Sequence, residues 1–165
     1  MVLEFLRTIE HTGLSLWIRE SDSIFAYWLI LSIHAIGMGL LVGASVVIDL
    51  RILGVAVEMP LASLKKLYRF IWVGFWIQLA SGLLLLIAYP AKSLTNPDFY
   101  LKLVLIAIAV TLMQMLKTRV LSHPAMSESA MMVKGRAFAI WSLIIWVGAV
   151  TAGRLLAYTY STLTA

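Results

Sequence analysis

The sequence predicts an all-α, integral membrane four-helix bundle preceded by a short interfacial amphipathic helix, and three observations carry that prediction. Hydrophobic residues make up 62% and charged residues 13% of 165 positions. The mean hydropathy is +0.96. The apolar residues also gather into four long runs separated by charged or proline-containing breaks, which is the pattern of membrane spans rather than of a soluble core. A water-soluble chain of this length leaves most side chains in contact with solvent, whereas a bilayer accepts helices that are apolar all round. One compact domain over 1–165 is expected.

Val2, Phe5, Leu6, Ile9 and Trp17 fall near helical spacing among Glu4, Arg7, Glu10 and His11, with a break at Thr12-Gly13. Residues 1–20 therefore read either as a helix in the membrane interface or as a cap over the bundle. They carry five charged residues and no long apolar stretch, so they do not read as a secretory signal.

The first span is expected over about 23–48, with Ser21, Asp22 and Ser23 as capping residues and Asp49 and Arg51 at the far surface. The second is expected over 70–90, after Lys65, Lys66 and Arg69 and before the stop at Pro90. Only fourteen residues separate Lys102 from Lys117, fewer than the ~20 a crossing needs. Asn96 as cap and Pro97 at the first position start the third helix earlier, so it spans about 98–120 with Lys102 snorkelling to the interface. The fourth span is expected over 137–160, between Arg136 and the last tyrosines.

Four crossings put both termini on one side. The opposite side receives Arg51, Lys65, Lys66, Arg69, Lys117, Arg119, Lys134 and Arg136, a net +5 against zero. Cation excess marks the cytoplasmic face, so the termini are expected to be extracytoplasmic. The overall charge of +5 is dispersed at helix ends rather than along a stripe, which argues against nucleic acid as a partner. There is no cysteine, so any metal would need His, Met or oxygen ligands.

Few residues suggest chemistry. His34 lies near the middle of the first span, where an ionisable group is costly unless it is neutral and hydrogen-bonded or ligates something. Two readings are open. His34 is an axial ligand to the iron of a haem b, with Met38, Met113 or Met115 as the other ligand, or it hydrogen-bonds Gln78 at similar depth in the second span. Gly39 and Gly43 form a GxxxG pattern, and Gly148 and Gly153 a second small face on the fourth span. Both suit close helix packing, with the first and fourth spans as neighbours. Arg154 lies just inside the outer end of the last span and either snorkels, pairs with Glu20 or Asp22, or holds a carboxylate or propionate. His123, Met126, Met131 and Met132 could together ligate Cu(I), although irregularly spaced loop methionines are usually incidental. No hydrolytic triad, phosphate loop or zinc motif is present.

The stretches His34–Gly43, Asp49–Gly54, Ser81–Leu84, Phe99–Leu103 and Trp146–Gly148 with Gly153–Tyr158 together resemble an uncharacterised family of small four-span bacterial inner-membrane proteins. More distantly, the His34–Gly43 segment is similar to the first helix of copper-resistance D-type and other b-type-cytochrome-like membrane proteins. That resemblance implies a bacterial inner-membrane location and a haem-binding role for His34. The second intramembrane histidine of a bis-histidine site is missing here.

The expected function is a membrane-embedded accessory or electron-transfer subunit of a larger inner-membrane assembly, with haem b or a quinone near His34. The alternative is a cofactor-free structural subunit joined to homo- or hetero-oligomeric partners through its small-residue faces. Transport ranks last, because neither inverted repeats nor buried charges are visible in the sequence.

Overall fold

A computed structural model describes residues 2–21, 23, 25–122 and 127–159. Among them the chain forms α1 (Val2–Glu10), α2 (Gly13–Glu20), α3 (Tyr27–Ile52), α4 (Leu61–Ala88), α5 (Pro90–Leu94), α6 (Pro97–Leu116), a π-helical turn (Lys117–Leu121) and α7 (Glu128–Tyr158). Four segments are long and apolar enough to cross a membrane: Tyr27–Ile52, Ser63–Ala88, Pro97–Leu121 and Glu128–Leu156. The shortest has 25 residues and extends about 37 Å at ~1.5 Å per residue, more than a ~30 Å hydrocarbon layer. Large apolar side chains such as Ile36, Trp76, Trp141 and Val147 stand exposed on these helices. A soluble bundle could not leave them so, and the chain is a multi-pass membrane protein.

The helix boundaries depart from the expected ones for local reasons. Ser21 and Ser23 do not cap α3. Their hydroxyls accept the backbone N–H groups of Ser23 and Phe25 in turns that precede it. Asp22 lies outside the described residues. At its other end α3 continues past Ile48 to Ile52, where Gly54 at φ +98° closes it. The N–H of Gly54 donates to Arg51 O and that of Val55 to Leu50 O, the paired bonds of a glycine-terminated helix. α4 begins at Leu61, well before residue 70, after Pro60. Its first turns bury Leu61, Leu64, Tyr68 and Ile71 while Lys65, Lys66 and Arg69 stay exposed, so charge on one face does not prevent helix on the other. α7 begins at Glu128 rather than 137, with the Ser127 hydroxyl accepting from Ala130 N. The third span starts as expected, with Asn96 Oδ1 accepting from Asp98 N at 2.9 Å and Pro97 in the first turn.

α3 packs along α4, α6 along α7, and α3 also meets α7. The α3–α4 seam is close. A Cβ at Gly74 would lie 2.5 Å from Leu41 N and 2.8 Å from Gly37 O, and one at Gly37 would lie 2.7 Å from Ile77 Cγ2. The sequence-predicted contact glycines do something else. Gly39 and Gly43 have no atom within 4 Å of a built Cβ and lie open on the outside of α3. Gly148 and Gly153 face Leu105 and Lys102 of α6, not α3. The first and last spans are neighbours, as expected, but through other residues.

α1 and α2 cover the end of the bundle at which α7 finishes. The Ser15 hydroxyl donates to Ala88 O at 3.3 Å, Ile18 packs with Ile30 and Ala88, and Glu10 accepts from Ala91 N. At the same end Asn96 Nδ2 donates to Thr159 Oγ1 at 2.8 Å, and that hydroxyl reaches Asp98 Oδ2 at 3.1 Å, tying α6 to α7. α4 approaches the third span chiefly at the π-helical turn, and about one turn before it Tyr68 Oη donates to Met113 O at 2.9 Å. Toward the end at which α7 finishes, α4 and α6 stand apart.

Candidate functional site

That separation is the site. A cleft of about 400 Å³ lies between α4 and α6, lined by Phe75, Gln78, Leu79, Gly82, Leu83, Leu85 and Leu86 of α4 and by Phe99, Lys102, Leu103 and Ile106 of α6. His34, Ser93 and Leu156 complete its wall. Leu79, Leu83 and Leu103 are each more than 40% exposed, so the cleft opens sideways between two apolar helices rather than at a polar end. Its polar groups are few, and they converge from three helices.

His34 Nε2 accepts from Gln78 Nε2 at 2.8 Å. With the amide so oriented, Nδ1–H donates to Ser81 Oγ at 2.9 Å, and that hydroxyl donates to Ile77 O at 2.6 Å. The chain of donors is complete up to Gln78 Oε1, which is buried and accepts from no described residue. Helical geometry explains the grouping: Gln78, Ser81 and Gly82 are spaced i, i+3 and i+4 on one face of α4. Gly82 supplies the room, since a Cβ there would sit 3.3 Å from His34 Cε1.

Lys102 turns toward α7. Its half-buried stem runs against Gly153 of α7, where a built Cβ would lie 3.5 Å from Cδ and Cε and 3.7 Å from Nζ. Lys102 lines the cleft, and its ammonium forms no ion pair or hydrogen bond with a described residue. The expectation that no charge is buried in the bundle fails at Arg51, which is 3% exposed. It fails again at Asp49, which is fully enclosed near the same end of α3.

The other sequence-predicted site residues lie elsewhere. Met38 is half-buried on α3 outside the cleft. Met113 is buried beneath Tyr68 and Ser142, its sulfur 3.4 Å from the Ser142 hydroxyl. Arg154 is exposed and makes no ion pair with a described residue, while Glu20 pairs with Arg19 at 3.1 Å. Met131 and Met132 pack on the hydrophobic core, and Met132 Sδ meets Arg51 at 3.7 Å. His123 and Met126 lie outside the described residues.

These donors do not suit haem. Axial ligation needs a free imidazole nitrogen and a second ligand across the ring, yet both nitrogens of His34 are hydrogen-bonded and no methionine lines the cleft. A flat apolar ring bearing carbonyl oxygens suits them better. Such a ring would lie among leucines and phenylalanines, with an ammonium and a side-chain amide as donors for its oxygens.

Sequence reasoning missed Lys102, Ser81 and Gly82 as site residues. The i+3 and i+4 spacing from Gln78 was a usable signal for Ser81 and Gly82. Nothing in the local sequence of Lys102 told whether its stem turned outward or toward α7. No family model, curated protein or solved structure matches the chain.

Proposed function

We propose that this chain is a membrane-embedded accessory or electron-transfer subunit whose lateral cleft binds the ring of a lipid-soluble quinone. The observation that carries the reading is the convergence of His34, Gln78 and Lys102 on one apolar cleft that opens sideways between two membrane-spanning helices. A quinone carried in the hydrocarbon layer would reach such a mouth without crossing a polar surface. Lys102 is suited to donate to one carbonyl oxygen, and the second N–H of the Gln78 amide, oriented by His34, is suited to donate to the other. Negative charge gathers on those oxygens as a quinone is reduced, and preorganised donors in a dry site favour that charge.

The open Gly39–Gly43 face supports the word subunit. Small residues exposed on a spanning helix permit close approach of a further helix. In this reading the redox partner of the bound quinone belongs to another chain of a bacterial inner-membrane assembly, and the termini face the extracytoplasmic side.

The test is decylubiquinone titration of the full-length protein in lipid nanodiscs. Saturable binding is expected, weakened about ten- to hundredfold by Lys102→Met or His34→Ala, the range for losing a hydrogen bond involving a charged group or leaving its partner unpaired. Met38→Leu, outside the cleft, should leave affinity unchanged. Absence of saturable binding to the wild type would reject the proposal. A Soret band in the natively purified protein that persists in washed nanodiscs would replace quinone with haem.

A further inference from the structure

A second buried polar centre lies toward the other end of the bundle, away from the cleft. Asp49 is 0% exposed, and neither of its carboxylate oxygens has a hydrogen-bond donor within 3.5 Å among the described residues. It shares the inward face of α3 with Leu41, Ser45, Ile48 and Ile52. Trp146 of α7 is also buried, and its Nε1–H has no acceptor. Orphaned donors and acceptors are rare in protein interiors, and those that persist generally mark a bound water or ion, or a functional proton.

The groups around Asp49 are turned away from it. Ser142 of α7 borders the carboxylate closely enough to turn its hydroxyl toward it, while the hydrogen bond it forms is to Met113 Sδ at 3.4 Å. The Ser45 hydroxyl is engaged by Leu41 O at 2.7 Å. Tyr68 of α4, also a neighbour, donates to Met113 O at 2.9 Å. Arg51 is two residues along, yet its guanidinium is turned into the following loop, donating to Met59 O at 2.6 Å and Val57 O at 3.1 Å. From the third span, Lys117 Nζ stands 5.0 Å from the centroid of the Tyr68 ring and makes no ion pair with Asp49. An enclosed carboxylate is untenable without a positive charge to meet it, and among the described residues none does.

We propose that Asp49 is the seat of a bound single positive charge, a proton or Na⁺, enclosed between α3, α4 and α7. Rotation of the Ser142 hydroxyl from the methionine sulfur toward Asp49 would give either occupant an additional oxygen. A divalent ion is disfavoured, because such ions recruit several carboxylates or waters and no cluster of three acidic or histidine side chains exists among the described residues. Occupancy would fasten α3 to α7 at this level, one turn before α3 ends.

Two measurements on full-length protein in neutral-lipid nanodiscs test the assignment. Thermal unfolding is recorded in NaCl, KCl and choline chloride at equal ionic strength. The infrared spectrum at neutral pH is recorded with [4-¹³C]aspartate-labelled and unlabelled wild type, which identifies a protonated aspartyl carboxyl without any variant. A midpoint that rises with log[Na⁺] and not with K⁺ or choline, and no longer rises in Asp49→Asn, assigns Na⁺. A label-sensitive protonated-carboxyl band, absent from Asp49→Asn and accompanied by no Na⁺ effect, assigns the proton. If wild type shows neither the band nor the Na⁺ dependence, the carboxylate is ionised and met by water alone, and the proposal is overturned. Asp49 does not line the cleft, so these outcomes are independent of quinone binding.

Discussion

Gly74→Ala puts the closest approach that any described glycine makes to another helix under direct strain. Its new methyl carbon would start 2.5 Å from Leu41 N, 2.8 Å from Gly37 O and 3.0 Å from Leu40 Cβ. The first two are backbone atoms of α3 and cannot rotate aside, so α3 and α4 must separate until the closest approach reaches an ordinary contact of about 3.5 Å, a shift of about 1 Å. Overpacking of this kind costs about 1–3 kcal/mol. Gly39→Ala is the matched control. It makes the same chemical change on α3 where a Cβ meets nothing within 4 Å, and the better helix propensity of alanine should leave it neutral or stabilising by up to about 1 kcal/mol. The assay is reversible unfolding in mixed micelles with rising SDS, followed by tryptophan fluorescence. Gly74→Ala should unfold at lower SDS than wild type and Gly39→Ala should not. Because His34 and Gln78 face one another across the same seam at 2.8 Å, the Gly74 variant should also disturb the histidine ring resonances. Equal unfolding midpoints for the two variants would refute the close α3–α4 seam and with it the geometry assigned to the cleft.

Other substitutions probe single contacts. Gly153→Ala should be tolerated because its Cβ meets Lys102 at an ordinary 3.5 Å, whereas Gly153→Leu should push the lysine stem aside and weaken decylubiquinone binding about as much as Lys102→Met. Tyr68→Phe removes the 2.9 Å bond to Met113 O and should cost about 0.5–1.5 kcal/mol in the same SDS titration; no change would mean that α4 and the third span are not joined there. Arg51→Met leaves the carbonyls of Val57 and Met59 without their charged donor, so limited proteolysis should cut within 53–60 faster than in wild type, with helix content by circular dichroism unaltered.

The division between what was legible in the sequence and what was not has a physical origin. Four crossings, their order and the cap at Asn96-Pro97 follow from hydropathy, charge and local backbone chemistry, which are properties of consecutive residues. The hydrogen-bonded pairing of His34 with Gln78 was open to sequence reasoning as one of two readings, because similar depth in successive antiparallel spans brings such residues level. The rotation of each helix about its axis is a different matter. A spanning helix is apolar on every side, so α3 has almost no amphipathic signal to say whether Gly37 or Gly39 faces α4, or that Asp49 turns inward while the Gly43 face stays open. In a soluble bundle the polar face would have settled these orientations. In this chain only the packing of one backbone against another does so, and that packing parts α4 from α6 to make the cleft, lays Lys102 against Gly153 and encloses Asp49. The sequence by itself determined that the chain lives in a membrane and how many times it crosses; the tertiary structure alone decided which of its few polar side chains meet.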